Sequence, residues 1–154
     1  MKNLTPQLKA YYMADFIQNV LPCKDEFWKL DDGLADLLTR INFSDNIQTL
    51  YSRKRTYAND RNRISMLWVL ISKDVKNSTL NSFIRECKEK LADFQCTPVE
   101  RKDMVHTLTP TIPMNCMTDK DYFNNGAIMI GVNSPVQHNH EVFWKLIEKH
   151  LTKF

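Results

Sequence analysis

The sequence predicts an all-α fold: an antiparallel six-helix bundle over residues 1–108, then a linker and a C-terminal extension over 109–154 with a helix at about 135–152. Three observations predict it. Apolar residues recur at three- and four-residue spacing along most of the chain. Helix-start signals stand at Thr5-Pro6 and at Thr97-Pro98-Val99-Glu100, a proline-bearing capping box. Glycine occurs only at Gly33, Gly126 and Gly131, which disfavours a glycine-turned all-β fold. The alternative is an α+β fold with strands near residues 47–72 and 127–132.

Taken in order, Thr5 caps and Pro6 opens a first helix whose stripe is Leu8, Tyr12, Phe16, Ile17 and Val20, and Pro22 ends it. Asp25 or Asp31 caps the next, with Leu34, Leu37, Leu38 and Ile41 as its apolar face. Ser44 caps a short segment with Ile47, Leu50 and Tyr51, and the stretch from Ser52 to Asn62 is polar and basic. Asp60 or Asn62 opens a helix with Ile64, Leu67, Trp68, Ile71 and Val75 at helical spacing. Met66, Val69 and Leu70 fill its other sides, as in a central, enclosed helix. A buried strand over 64–72 competes, and periodicity alone does not separate the two. Ser78 or Thr79 starts the clearest amphipathic helix, with Leu80, Phe83, Ile84, Cys87, Leu91 and Phe94 along one side. The capping box at 97–100 starts the sixth, with Val99, Met104 and Leu108. Thr109-Pro110-Thr111-Ile112-Pro113 is non-helical, residues 118–132 are ambiguous between a helix start at Asp119 to Phe123 and a turn at Asn124-Asn125-Gly126 followed by a strand from Ala127 to Val132, and Asn133-Ser134-Pro135 starts a last helix.

Three of these stretches carry a resemblance. Asp32-Gly33-Leu34-Ala35-Asp36-Leu37-Leu38 and on to Asp45, Arg61 through Ile71, and Ser78-Thr79-Leu80-Asn81-Ser82-Phe83-Ile84-Arg85-Glu86-Cys87 resemble the second, fourth and fifth helices of a caspase recruitment domain, a member of the death-fold superfamily. The likeness spans residues 5 to 108. It implies homotypic assembly with a related death-fold protein or with a second copy, as in apoptotic or innate-immune signalling. An acidic surface on the second helix would meet a basic one at the start of the fourth. The chain departs from the pattern at Ser72-Lys73-Asp74-Val75-Lys76-Asn77, where the family often has glycine.

Charge supports such a split. Residues 1–50 hold five Lys/Arg against seven Asp/Glu, residues 51–102 twelve against six, and residues 103–154 four against five. The acidic partner-binding candidates are Asp25, Glu26, Asp31, Asp32 and Asp36, and the basic ones Arg53, Lys54, Arg55, Arg61 and Arg63. The expected function is a protein-interaction module that docks opposite charges. The alternative is a small nucleic-acid-binding protein using residues 53–63, with Tyr51 and Tyr57 beside the arginines as stacking candidates.

No apolar run approaches the roughly 20 residues of a membrane span, and the first helix carries Lys9, Asp15 and Gln18, unlike a signal peptide. A cytoplasmic protein without membrane contact is expected. Cys23, Cys87, Cys96 and Cys116 lack metal-ligand spacing and are expected as free thiols. His138 and His140 are two residues apart and point to different sides of a helix, so they are expected as solvated surface groups. His106 sits near a helix end, and Glu86-Cys87-Lys88 lies on a helix where a nuclease motif needs a strand. No catalytic residue, metal, cofactor or small-molecule substrate is therefore assigned, and the chain is not expected to be an enzyme.

Overall fold

The computed structural model describes residues 2–23, 33–55, 63–99 and 126–154. The elements run α1 (Pro6–Asp15, continued by a π-turn Phe16–Val20 and a 3-10 turn Leu21–Cys23), α2 (Leu34–Asn42), β1 (Ile47–Arg53), β2 (Ile64–Ile71), α3 (Asn77–Lys90), β3 (Phe94–Pro98), β4 (Ile128–Asn133) and α4 (Gln137–Leu151). The four strands form one antiparallel sheet in the order β1-β2-β4-β3. The fold is α+β. The all-α six-helix expectation is overturned, and with it the death-fold resemblance and its implied role in apoptosis or innate immunity. The strands of the alternative, near 47–72 and 127–132, are those observed as β1, β2 and β4.

Local signals hold where helices form. Thr5 Oγ1 accepts from the Leu8 N–H at 3.2 Å and Pro6 takes the first helical position, as the sequence implies. Gly33 precedes α2 with φ +76, a left-handed conformation that suits glycine. Lys88 and Lys90 stand in the last turn of α3, beside the negative end of the helix dipole.

The sheet is covered on both sides. One face carries Ile47 of β1, Leu67, Val69 and Ile71 of β2, Ile128, Ile130 and Val132 of β4 and Phe94 of β3. It packs against Leu34, Leu37, Leu38 and Ile41 of α2, Leu80, Phe83 and Cys87 of α3, and Phe143, Trp144, Leu146, Ile147 and Leu151 of α4. The other face carries Tyr51, Met66, Trp68 and Leu70 under Leu4 and Tyr12, with Leu8 at the margin. The α1 stripe drifts about 40° around the axis at each four-residue step, given ~3.6 residues per turn. Leu8 and Tyr12 therefore meet one face while Phe16 reaches the core on the other.

β2 lies second in the sheet with apolar cover above and below, so seven of its eight residues are buried. Such a strand has no polar face and loses the alternation that marks a half-exposed one. Gly131 allows close approach between the central strands, because a Cβ there would stand 2.9 Å from the Ser65 carbonyl oxygen. β2, α3 and β3 form a crossover with β4 inserted between the two strands, a split β-α-β arrangement. Residues from either side of position 109 thus share one sheet.

Polar anchors fix the first corner. Asn42, at the end of α2, gives its Nδ2 to Thr49 Oγ1 at 2.7 Å and accepts the Thr49 N–H at 2.8 Å. Lys9 Nζ donates to the carbonyls of Asn42 and Ile47, each at 2.7 Å, tying α1 to the turn between α2 and β1. Burial pushes the Lys9 ammonium down to a pKa of about 8, against the opposing pull of Asp45.

Candidate functional site

The β1–β2 hairpin gathers the basic side chains. Arg53 pairs across the ladder with Met66, so Lys54, Arg55 and Arg63 follow at the same end. The described residues of the hairpin, 47–55 and 63–71, contain these four cations and no carboxylate. Arg61, and Tyr57 beside it, lie outside the described residues.

The four cations are not equivalent. Arg55 is held inward: its N–H donates to Ser65 Oγ at 3.0 Å, and its Nη1 donates to the Pro135 carbonyl at 2.7 Å. It braces the hairpin against the corner between β4 and α4, whereas Arg63 is exposed and Arg53 and Lys54 half-buried. Tyr51, the proposed stacking residue, is buried against Trp68 with ring centroids 4.9 Å apart, so it offers no face to a base.

Of the acidic candidates, Asp25, Glu26, Asp31 and Asp32 lie outside the described residues, and Asp36 is exposed in the first turn of α2. The structure therefore brings four of the five basic candidates together, Arg61 lying outside the described residues, and places a single acidic one.

His140 departs from its expectation. His138 is exposed and lies 3.8 Å from Glu141, but His140 is 1% exposed, with Nδ1 2.8 Å from Ser65 Oγ and Nε2 2.8 Å from the Ser134 carbonyl oxygen. Burial lowers its pKa below the usual 6.5 and Arg55 adds to this, while the Ser134 carbonyl pulls the other way. Ser65 is itself fully buried, so the pair is closed to any substrate. Nothing in the local sequence marks this contact, since its partners stand 75 residues apart.

A second polar cluster escaped the sequence. Glu86 on α3 accepts from Lys149 Nζ at 2.7 Å and from His150 Nε2 at 2.9 Å, both on α4, and pairs with Lys90 at 3.2 Å. The Lys90 pair was visible in the sequence as an i,i+4 spacing; the α4 partners were not. These donors, Lys149 first, hold the Glu86 carboxyl down to a pKa of about 2. A depressed carboxylate stabilises the fold above its ordinary pKa of 4.5, and that contribution is lost as pH falls from 4.5 toward 2. Glu86→Gln is expected to cost at most about 1 kcal/mol at neutral pH, because its lysine partners are half exposed. It should also flatten the acid limb of stability below pH 4.5, as measured by urea unfolding across that range. Beside this cluster, Ser78, Thr79, Ser82, Lys149, His150 and Lys153 line a shallow cleft of about 380 Å³.

Of the remaining chemical candidates, two cysteines are described. Cys87 and Cys96 are free thiols, both with pKa raised chiefly by burial, Cys87 to about 12. The side chains of Cys23, His106 and Cys116 are outside the described residues. Among the described residues, no group of three or more His, Cys, Asp or Glu is placed to hold a metal, and no helix is long and apolar enough to cross a membrane. Comparison with protein families, with curated proteins and with solved structures finds no match to this chain.

Proposed function

We infer that the protein binds a nucleic-acid backbone through the basic end of the β1–β2 hairpin. What supports this is one juxtaposition: Arg53, Lys54 and Arg63 share an end of a hairpin that carries no carboxylate among its described residues. Strand pairing sets the spacing of these cations, and Arg55 fixes the strand end from beneath. Cations on a braced scaffold lose less freedom on meeting phosphates than cations on a free tail. With Tyr51 buried, binding rests on phosphate contacts and is weakly sequence-dependent.

Fluorescence anisotropy with labelled single-stranded and duplex oligonucleotides tests this. Three phosphate contacts predict a slope of log K against log salt near about −2 for single strands, at about −0.7 per contact. The triple variant Arg53→Ala, Lys54→Ala, Arg63→Ala should bind at least about tenfold more weakly with a flatter slope. No binding, or binding indifferent to salt and to the triple variant, rejects the reading. The competing expectation, charge docking between copies, is separated in the same samples by light scattering. A self-assembler grows with protein concentration and shrinks with salt in the absence of nucleic acid.

A further inference from the structure

A single hydrogen-bonded chain ties both flanks of the basic end to the corner between β4 and α4. The Arg55 N–H donates to Ser65 Oγ at 3.0 Å. Ser65 Oγ lies 2.8 Å from His140 Nδ1, and His140 Nε2 lies 2.8 Å from the Ser134 carbonyl. The Ser134 N–H in turn donates to the Arg63 carbonyl at 2.8 Å. Arg55 leaves β1 and Arg63 enters β2, so the chain holds the hairpin end from both sides.

The order of protons along it follows from the groups. A carbonyl only accepts, so His140 Nε2 carries a hydrogen. In the neutral ring Nδ1 is then an acceptor, and the Ser65 hydroxyl donates to it. The Ser65 oxygen receives the Arg55 N–H, and every donor meets an acceptor. A proton on Nδ1 reverses the middle of the chain. Two donors, Nδ1–H and the Arg55 N–H, then converge on the Ser65 oxygen. The displaced hydroxyl hydrogen is left in a site that is 0% exposed at Ser65.

The surroundings do not absorb the added charge. Arg55, the charged group packed on the ring from the β1 side, repels it. Ser65 from β2 and Ser134 from the β4–α4 corner are uncharged, and on α4 itself Glu141 faces the exposed His138.

We propose that His140 is an acid-sensitive latch: a proton at Nδ1 parts Ser65 from the Arg55 N–H and loosens the end of β1 that carries Arg53 and Lys54, while the Arg55 Nη1 bond to Pro135 and the Ser134 bond to Arg63 keep the hairpin at the β4–α4 corner. Acidification thereby loosens the basic end while the rest of the sheet stays paired. The latch goes beyond the nucleic-acid reading, since it concerns how this end is held, whatever it binds.

The test is NMR on the full chain without nucleic acid, between about pH 7.5 and about pH 5, the range in which histidine titrates. The His140 ring nitrogens report protonation, and amide-exchange protection factors report opening. As His140 takes its proton, protection at Arg55 should fall about tenfold or more while protection at Trp68 and Val69 holds. His140→Gln, which keeps one donor and one acceptor and cannot titrate, should retain Arg55 protection and lose the pH step. If that variant does not fold, Ser65→Ala supplies the check, with low protection at Arg55 at every pH. Unchanged Arg55 protection through the titration overturns the latch. So does a parallel loss at Arg55 and Trp68, which is global unfolding, and so does a ring that stays neutral until the sheet unfolds.

Discussion

Trp68→Ala is expected to remove about 3–5 kcal/mol of stability, read as a lower urea midpoint. Trp68 is 0% exposed and is the largest fully buried side chain among the described residues. It stands on the sheet face that α1 covers, opposite Tyr51 on one neighbouring strand and Met129 on the other. Its indole meets the Tyr51 ring at 4.9 Å with a 45° tilt. Truncation leaves a cavity roofed by Leu4, Leu8 and Tyr12, and so weakens the packing of α1 on this face, where Lys9 also ties the helix to the Ile47 carbonyl. The loss is a large share of the net stability of a small domain, about 5–15 kcal/mol, so the variant should unfold at a much lower urea concentration. A cost below about 1 kcal/mol would mean that α1 does not seal this face.

Phe83→Ala should cost about as much, about 3–5 kcal/mol, from the opposite layer. Phe83 is 0% exposed and lies where α3, β3, α4 and the chain's last residue converge. Its ring centroid is 6.1 Å from that of Phe94, 5.4 Å from His150 and 6.2 Å from Phe154. Two of these contacts are edge-on, the arrangement aromatic quadrupoles favour. Because His150 rests on this ring and also holds Glu86, the truncation should raise the Glu86 pKa from about 2 toward its ordinary 4.5, an effect that carboxyl NMR resolves. Phe83→Leu should recover most of the stability but less of the pKa, since it restores volume and not the ring contact. A Phe83→Leu variant with the stability and the Glu86 pKa of the unaltered protein would show that ring geometry contributes nothing here.

His140 adds a pH dependence opposite in origin to that of Glu86. Its folded pKa lies below 6.5, so its contribution is complete above that value and declines as pH falls, when the unfolded chain takes up a proton that the native fold resists. Stability should therefore begin to decline below pH 6.5, well before the Glu86 range is reached.

The strands imitate helices in sequence for identifiable reasons. In β1 a bulge at Leu50 shifts the ladder between Thr49 and Tyr51, so Ile47 packs on one face of the sheet and Leu50 and Tyr51 on the other, and their three- and four-residue spacing imitates a helix. In β2 both faces are covered, so Ile64, Leu67, Trp68 and Ile71 match a helical stripe only because Met66, Val69 and Leu70 between them are apolar as well. Thr97-Pro98 is not a helix start but the end of an edge strand, a place where the missing proline N–H does no harm. Once β1 and β2 are strands, the surface on which the resemblance placed Arg61 and Arg63 no longer exists.

The sequence by itself determined the helices α1, α2, α3 and α4 with much of their buried faces, and the presence of a basic stretch at 53–63. Caps, prolines and a 3.6-residue stripe act within one or two turns, so neighbouring residues are enough to specify them. Only the tertiary structure decided that residues 47–53 and 64–71 pair as strands, that Arg53 and Lys54 share an end with Arg63, and that His140 is enclosed. A strand's hydrogen bonds and the burial of a polar ring depend on partners far along the chain, such as Ser65 for His140 and α1 for Trp68. Those partners leave no mark on the local pattern.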